Sequence, residues 1–592
     1  GNSYYSLAGA VYGVYTEWGC YNEVGRLTTD EWGNTNTLEL NAGTYYVKEL
    51  IAPQGYALDD VTVHEVTVTA SQTATVYTSD IPQNDPVVIL LHKKDYDTNT
   101  DVPQGSASLE SAEFTIKYFS GLYDTNPEEQ GISPTRQWIL KTDSNGITML
   151  SNNFKVSGDE FYYNSQGSVT LPIGTITIQE TKAPEGYLLN PEIFIRQITS
   201  DGSSEGVNTY NEPVIPETVM KGSVELYKSD DESGNALAGA VYGIYFHDGT
   251  EVGRLTTDET GYAKSDLLPY GQYYLQEITA PNGYVLDNTQ YPFTISTDGQ
   301  AAVVETSDKL QKGTINIQKT DNESGKPLAN AEYEIYAKKN IVTPEGTVKH
   351  TAGELLDTVT TNENGFAKSK ALYLGTYTVK EKTAPEGYIL NRTEFDVTLT
   401  YGNQTEQVIV TSMETMNANQ KGRIKGIKTG EVLTGNTSYS TDFGAAYSPS
   451  YEVQPLAGAI YDIYAKYDII TPEGTVKYTA GQLIETVSTN KNGEFLSDDL
   501  YLGTYIVKEK QAPNGYVQDT TEYEVTFTYA GQEETLLFSS LSLSNERQKA
   551  IVSLKKEMEQ HSVYPNSEAY KDIQFGLYVA EDILDVNGSI AL

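Results

Sequence analysis

The sequence predicts an all-β protein built as a series of similar small β-sandwich domains, and three observations predict it. The octapeptide Glu-x-x-Ala-Pro-x-Gly-Tyr occurs five times, at residues 49–56, 180–187, 277–284, 381–388 and 509–516, and five copies in register mean a repeated module. The Glu-to-Glu steps are 131, 97, 104 and 128 residues, too long for a solenoid unit and long enough for a domain with its own core. The apolar share is 38%, and it leans on 46 tyrosines and on Val, Ile and Thr, a strand-forming composition. At 592 residues, a prior of about one domain per 150 residues gives about four, and the repeat count raises that number.

The third module shows the element order most cleanly. Residues 222–230 carry Val224 and Leu226 alternating with polar neighbours, a first strand ending near Lys228. Residues 231–235 (Asp-Glu-Ser-Gly-Asn) have turn chemistry, and the alternation resumes over residues 237–245 as a second strand. A turn at 257–261 precedes the strand at 272–277, which runs into Ala280-Pro281-Asn282-Gly283-Tyr284. There Pro fixes φ and Gly accepts positive φ, so the chain bends. Two more strands, around 291–295 and 301–306, complete six or seven short strands, the spacing of an antiparallel β-sandwich.

The same order recurs along the chain. The expected domains are 1–86, lacking its first strand; 87–218; 219–312; 313–421; 422–548; and 549–592, the start of a sixth unit whose residues 550–555 and 573–578 repeat strands one and two. Modules four and five share a near-identical insertion at 343–349 and 471–477 and read as recent duplicates. Module two carries a longer polar insertion between Ser120 and Gly167, expected as surface hairpins or loops, where a binding function would sit.

Composition excludes several classes. Asp and Glu number 81 against 40 Lys and Arg, a net charge of -41, so nucleic acid and anionic membrane are poor partners. The single cysteine, Cys20, excludes a disulfide framework and reads as a loop thiol. Small extracellular β-domains usually use disulfides, so another covalent staple is expected. The histidines (His64, His92, His247, His350, His561) are scattered, with no catalytic or metal-ligand spacing; enzymatic turnover and a cofactor are not expected. Asp95-x-Asp97-x-Asn99-x-Asp101 alternates oxygens as a Ca²⁺ loop does, but Thr100 and Ser106 stand where Gly and Glu are needed, so a polar turn is the ordinary reading. The sequence given does not open on a basic-then-apolar signal pattern, holds no run of about 18 apolar residues and does not close on a lipidation signal. The chain opens and closes mid-pattern, like a window cut from a longer protein.

Three polar positions recur at fixed places: a Lys ending strand one (Lys93, Lys228, Lys319, Lys428, Lys555), the Glu opening each octapeptide, and an amide or carboxylate after the last strand. The third is clearest in Asp308, Asn417 and Asn545, each 10 or 11 residues before the next module's Lys; Asn211 is the best candidate in module two. Taken singly these are a solvated Lys, a surface Glu and a turn residue. Together inside one sandwich they would be expensive to bury unless their charges were dealt with. Burial lowers a Lys pKa and raises a Glu pKa, leaving a neutral amine beside a protonated acid. That amine can attack an Asn or Asp side-chain carbonyl whose oxygen is polarised by the Glu proton, and the Glu can pass protons to the leaving ammonia or water.

Lys in strand one, Leu-Ala-Gly-Ala-x-Tyr, Thr-x-x-x-Gly, Gly-x-Tyr-x-x-x-Glu-x-x-Ala-Pro-x-Gly-Tyr and a final Asn resemble the collagen-adhesin B-type, or SpaA-like pilin, domains of Gram-positive surface proteins, over nearly the whole chain. The resemblance implies immunoglobulin-like, prealbumin-type sandwiches arranged as an extended rod, with autocatalytic Lys-Asn or Lys-Asp isopeptide bonds assisted by the Glu. Residue by residue it implies Lys93, Glu180 and Asn211; Lys228, Glu277 and Asp308; Lys319, Glu381 and Asn417; and Lys428, Glu509 and Asn545. Module one has Glu49 with Asp80 or Asn84 as acceptor and no Lys, and module six has Lys555 alone, so four bonds are expected. These complementary halves leave room for copies to link through the sixth module's strand.

The function implied is a structural stalk segment on the bacterial cell surface, anchored through a region outside this sequence. Its partners would be neighbouring domains of the same protein. The alternative is an adhesin segment that recognises a host protein or glycan through the module-two insertion. A pilus-backbone role is weakened because Asn566 stands where the Val563-Tyr564-Pro565 motif would need a Lys.

Overall fold

The computed structural model describes residues 2–85, 90–199, 214–557 and 573–592. The chain divides into two compact units, Gly1–Lys309 and Leu310–Leu592. Nearly all its regular structure is strand, with one short 3-10 turn at Pro127–Gln130 among the described residues. No described helix is long and apolar enough to cross a membrane.

The third module shows the architecture. One sheet orders its strands Glu251–Thr256, Val241–Phe246, Gly271–Thr279 and Gln290–Ile295, all antiparallel. The facing sheet centres on Lys221–Asp230 beside Ala301–Leu310. Period-two alternation turns Val224, Leu226, Lys228 and Asp230 inward together, and Val304, Thr306, Asp308 and Leu310 likewise. Val224, Leu226, Tyr242, Leu275 and Ile295 fill the core between the sheets. At about 25 cal/mol per Å² such burial is the main stabilising term, and it also sets the dry surroundings of Lys228.

One pairing differs from the expected antiparallel sandwich: the first and last strands of modules two to five are parallel neighbours. They are separated by a whole module, so no hairpin dictates their direction, and a long crossover permits the parallel arrangement. The pairs are Leu90–Asp95 with Val214–Glu217, Lys221–Asp230 with Ala301–Leu310, Lys312–Asp321 with Val408–Asn417, and Lys421–Thr441 with Leu536–Asn545.

Two further expectations change. The span between Ser120 and Gly167 is only partly surface: Arg136–Lys141 joins the sheet, and Trp138, Leu140 and Phe161 are core. The apolar side of this strand was masked by the polar Asn and Ser around it. In the sixth unit, residues 551–557 and 573–582 form no strand, and Lys555 is exposed beside Glu557 at 2.7 Å. Module five carries a feature without counterpart elsewhere among the described residues: its first strand runs on as a long hairpin with Gly444–Pro455.

The glycine of Thr-x-x-x-Gly holds the first strand. Gly365 has φ +68, its carbonyl accepts from Lys319 N at 2.7 Å, and an added Cβ would lie 2.3 Å from the Lys319 carbonyl oxygen. Gly261 and Gly493 stand the same way against Lys228 and Lys428. Gly365→Ala is therefore expected to cost more than the roughly 1–3 kcal/mol of left-handed strain alone. Gly346→Ala, at φ +91 with open space around it, should cost only that strain; equal losses of melting temperature would contradict the clash.

Candidate functional site

Parallel register assembles the site. Lys228 pairs with Thr306, so Asp308, two residues further on the same face, comes up beside its side chain. The same offset places Asn417 against Lys319 and Asn545 against Lys428. All three lysines are buried, as is Lys93. Lys228 Nζ donates to Asp308 Oδ1 and lies 3.1 Å from Glu277 Oε1. Lys319 and Lys428 lie 3.0 and 3.1 Å from Glu381 and Glu509 Oε1.

The glutamates are aimed from the far side of the core. Glu277 ends the inward-facing run of Gly271–Thr279, just before the bend. Its Oε2 accepts from the backbone N–H of Asp287, ten residues on, at 2.9 Å. Asn190, Asn391 and Asp519 hold Glu180, Glu381 and Glu509 identically, at 2.7, 2.7 and 2.6 Å. One oxygen is thus anchored, and in each module the other is left to the lysine.

A tyrosine that sequence reasoning passed over completes the wall. Tyr242, Tyr333 and Tyr461 pair across the sheet with Glu277, Glu381 and Glu509. The Tyr242 hydroxyl accepts from Lys228 Nζ at 2.6 Å and donates to Thr306 Oγ1 at 3.0 Å. The Tyr333 and Tyr461 hydroxyls lie 3.5 and 3.3 Å from the glutamate Oε1. Burial pushes all three hydroxyls well above their usual value, so they stay protonated. The signal was the Tyr of Leu-Ala-Gly-Ala-x-Tyr, read only as part of a strand.

Burial lowers the amines of Lys319 and Lys428 from the usual lysine value, against the pull of their glutamates. Burial likewise pushes Asp308 up to about 7 although Lys228 draws it down. The asparagines face differently from expectation. Asn417 and Asn545 donate through Nδ2 to the glutamate Oε2 at 2.8 Å and to the Ile389 and Val517 carbonyls at 2.7 Å. Their Oδ1 atoms are buried without a hydrogen-bond partner. The glutamate therefore touches the nitrogen that would leave as ammonia and not the carbonyl oxygen, which suits proton delivery to the leaving group.

Five stretches of the chain, residues 2–82, 89–213, 222–310, 313–414 and 450–539, match the family described as "SpaA: Prealbumin-like fold domain". The chain belongs to this SpaA family. Among relatives, a Staphylococcus aureus collagen adhesin is 26% identical over 420 residues, covering 58% of this chain and 34% of that protein. The serine-aspartate repeat-containing protein F of Staphylococcus epidermidis is 25% identical over 312 residues, covering 49% of this chain and 16% of that protein. The chain thus spans about a third or less of the length of these relatives. Of solved structures, the Bacillus anthracis TIE protein is similar at TM-score 0.39 and 20% identity, over 78% of this chain and 74% of that one.

The remaining expected site residues fall as follows in the SpaA-type modules. Asn211 lies outside the described residues; the register position of an acceptor in module two is held by Glu217, paired with Asp95 as Asp308 is with Asp230. Glu217 stands 11 residues before Lys228, the same interval that marks Asp308 and Asn417, so its signal was in the spacing. In module one the closing Tyr56 bridges Pro82, as Tyr388 bridges Asn419 and Tyr516 bridges Arg547, two residues past the acceptor. Asp80 is therefore the counterpart, and Asn84 instead pairs with Pro172. Glu49 and Asp80 line an open cavity of about 190 Å³, and burial raises both carboxyls. Lys555 meets neither a glutamate of this kind nor an acceptor among the described residues.

The Asp95, Asp97, Asn99 and Asp101 oxygens do not form a cage. Asp95 accepts from Asp97 N, Thr98 N, Gln104 Nε2 and the Tyr187 hydroxyl, while Asp97 pairs with Lys221 at 2.8 Å. Asn99 takes a left-handed turn at φ 53. Among the described residues no cluster of His, Cys, Asp and Glu is placed to hold a metal ion.

Lys228→Met removes the cation that holds Asp308 down. An acid whose folded value exceeds its ordinary 3.8 keeps a proton that the unfolded chain has released. The stability that this acid contributes is therefore expected to be full below about pH 4 and to be lost as pH rises from there to beyond about 7, since the variant lacks the cation that draws the acid down. Thermal melting across that range checks it, and a flat or rising profile would count against the raised acid.

Proposed function

We propose that the chain is a load-bearing stalk segment of a bacterial surface adhesin or pilus-like protein, whose modules cross-link themselves through Lys-Asn and Lys-Asp isopeptide bonds. The domain limits given above, and a location on the cell surface, belong to this proposal. The observation that carries it is a buried amine on an anchored glutamate that also contacts the acid or amide of the neighbouring parallel strand, repeated in modules three, four and five; in module three the amine touches Asp308 directly, and in modules four and five Asn417 and Asn545 reach the shared glutamate. In modules four and five the lysine nitrogen would replace Nδ2 of Asn417 or Asn545, releasing ammonia. In module three Nζ would join Cγ of Asp308, releasing water. Each step joins one N–H to one acyl carbon, and the glutamate carries the proton to the departing group.

Strand geometry gives such a bond a mechanical role. Tension entering along Lys221–Asp230 reaches Lys228 after seven residues, crosses to Asp308, and leaves along the last strand. Everything between Lys228 and Asp308 is then bypassed. Closing a loop of about 80 residues is also worth roughly 4–5 kcal/mol by the chain-entropy estimate.

Peptide mapping with intact mass is expected to show loss of two ammonia and one water from modules three to five. Glu277→Ala, Glu381→Ala and Glu509→Ala should each restore one loss and render that module extensible and protease-sensitive. Three free lysines in the parent protein would falsify the reading.

One observation favours a second reading, ligand binding at the module-two insertion. Tyr162 and Tyr163 meet Tyr5 and Tyr56 around an open cleft of about 580 Å³. Aromatic walls with a few polar groups suit a sugar or peptide. Binding of a host glycan or extracellular protein that Tyr163→Ala abolishes would support it, and unchanged binding would remove it.

A further inference from the structure

We propose that the acceptor of the second module is Glu217, and that its product is a Lys93-Glu217 isopeptide bond formed with loss of water. This rests on the self-cross-linking reading above and adds a glutamate side chain as acceptor.

Four observations converge. Lys93 pairs with Ile215 in the parallel ladder, so Glu217 occupies the place of Asp308. Lys93 Nζ donates to both Glu180 Oε1 and Glu217 Oε1, the two contacts that Lys228 makes with Glu277 and Asp308. Glu217 Oε2 is buried without a hydrogen-bond partner, as is Asp308 Oδ2. The Glu217 carbonyl accepts from Tyr96 N at 2.9 Å, just as the Asp308 carbonyl accepts from Asp231 N at 2.9 Å, so the backbones are held alike.

A glutamate is one methylene longer, and its surroundings differ from those of Asp308. Where Tyr242 faces Glu277, Phe114 faces Glu180, and where Thr306 pairs with Lys228, Ile215 pairs with Lys93. The Tyr242 hydroxyl that contacts Lys228 in module three, and the Thr306 hydroxyl it donates to, are thus replaced by two apolar side chains, and the Phe114 ring lies 4.9 Å from Lys93 Nζ. Burial also pushes Glu217 up to about 7, which favours the protonated acid that can be attacked.

The bond-forming step balances without a further reagent. Lys93 Nζ attacks Cδ of Glu217 through its lone pair; one N–H proton and the acid hydroxyl leave as water, with Glu180 passing the proton. Glu180 is placed for this because its Oε2 is anchored by Asn190 N.

Peptide mapping of the full chain tests the assignment. A branched peptide joining Lys93 to Glu217 with loss of water is expected, and Glu217→Gln should switch that loss to ammonia at the same site. Glu217→Ala should leave Lys93 free while Lys228, Lys319 and Lys428 stay linked. Lys93 joined to Asn211, or Lys93 free in the parent chain with the other three lysines linked, overturns this inference alone. Free lysines in all four modules overturn it together with the reading beneath it.

Discussion

A lysine amine enclosed in a β-sandwich is the constraint to which the rest of each module answers. Removing an ammonium from water costs several kcal/mol even after relaxation, and losing its one partner leaves the charge uncompensated. Lys93, Lys228, Lys319 and Lys428 nevertheless sit fully inside, on the face that carries Val224 and Leu226 in module three. Each faces a glutamate whose other oxygen is fixed by a backbone N–H ten residues on. The turn glycine grips the lysine's own backbone. A parallel last strand then brings an acid or amide two residues past the lysine's partner. The octapeptide serves the same end: its Glu enters the core, and its Pro and Gly, with φ of 83 to 90 at the five glycines, turn the chain away at once.

The modules vary around this constraint in linked ways. A tyrosine hydroxyl accompanies Asp308, Asn417 and Asn545, and a phenylalanine accompanies the longer Glu217. Module one shows what remains without the lysine strand. Glu49 still accepts from Asp59 N at 2.8 Å, but it and Asp80 border an open cavity where the other modules have a packed amine.

The strands were legible because alternation is a local property. Val224, Leu226 and Lys228 are read inward from their own neighbours, and the bend after Glu277 from Pro281 and Gly283. The third polar position of module two is less legible: Asn211, the candidate from the sequence, lies outside the described residues, while the 11-residue interval before Lys228 falls on Glu217. Trp138 and Phe161 were concealed because they lie in a polar stretch whose average composition reads as loop. Nothing in the local pattern of residues 430–455 announced the long hairpin of module five.

By itself the sequence determined the module, its strands, its bends and the lysine and glutamate of each site, since these depend on side-chain period and on the restricted φ of Pro and Gly. Tertiary structure decided which strand edges meet and in which direction. The parallel register brings Glu217 and Asp308 to matching positions beside Lys93 and Lys228, while the Asn417 and Asn545 nitrogens turn toward the glutamate and Tyr242, Tyr333 and Tyr461 join the wall. Those contacts join residues that lie tens of residues apart, and their free energy comes from burial between two sheets, which no local pattern encodes.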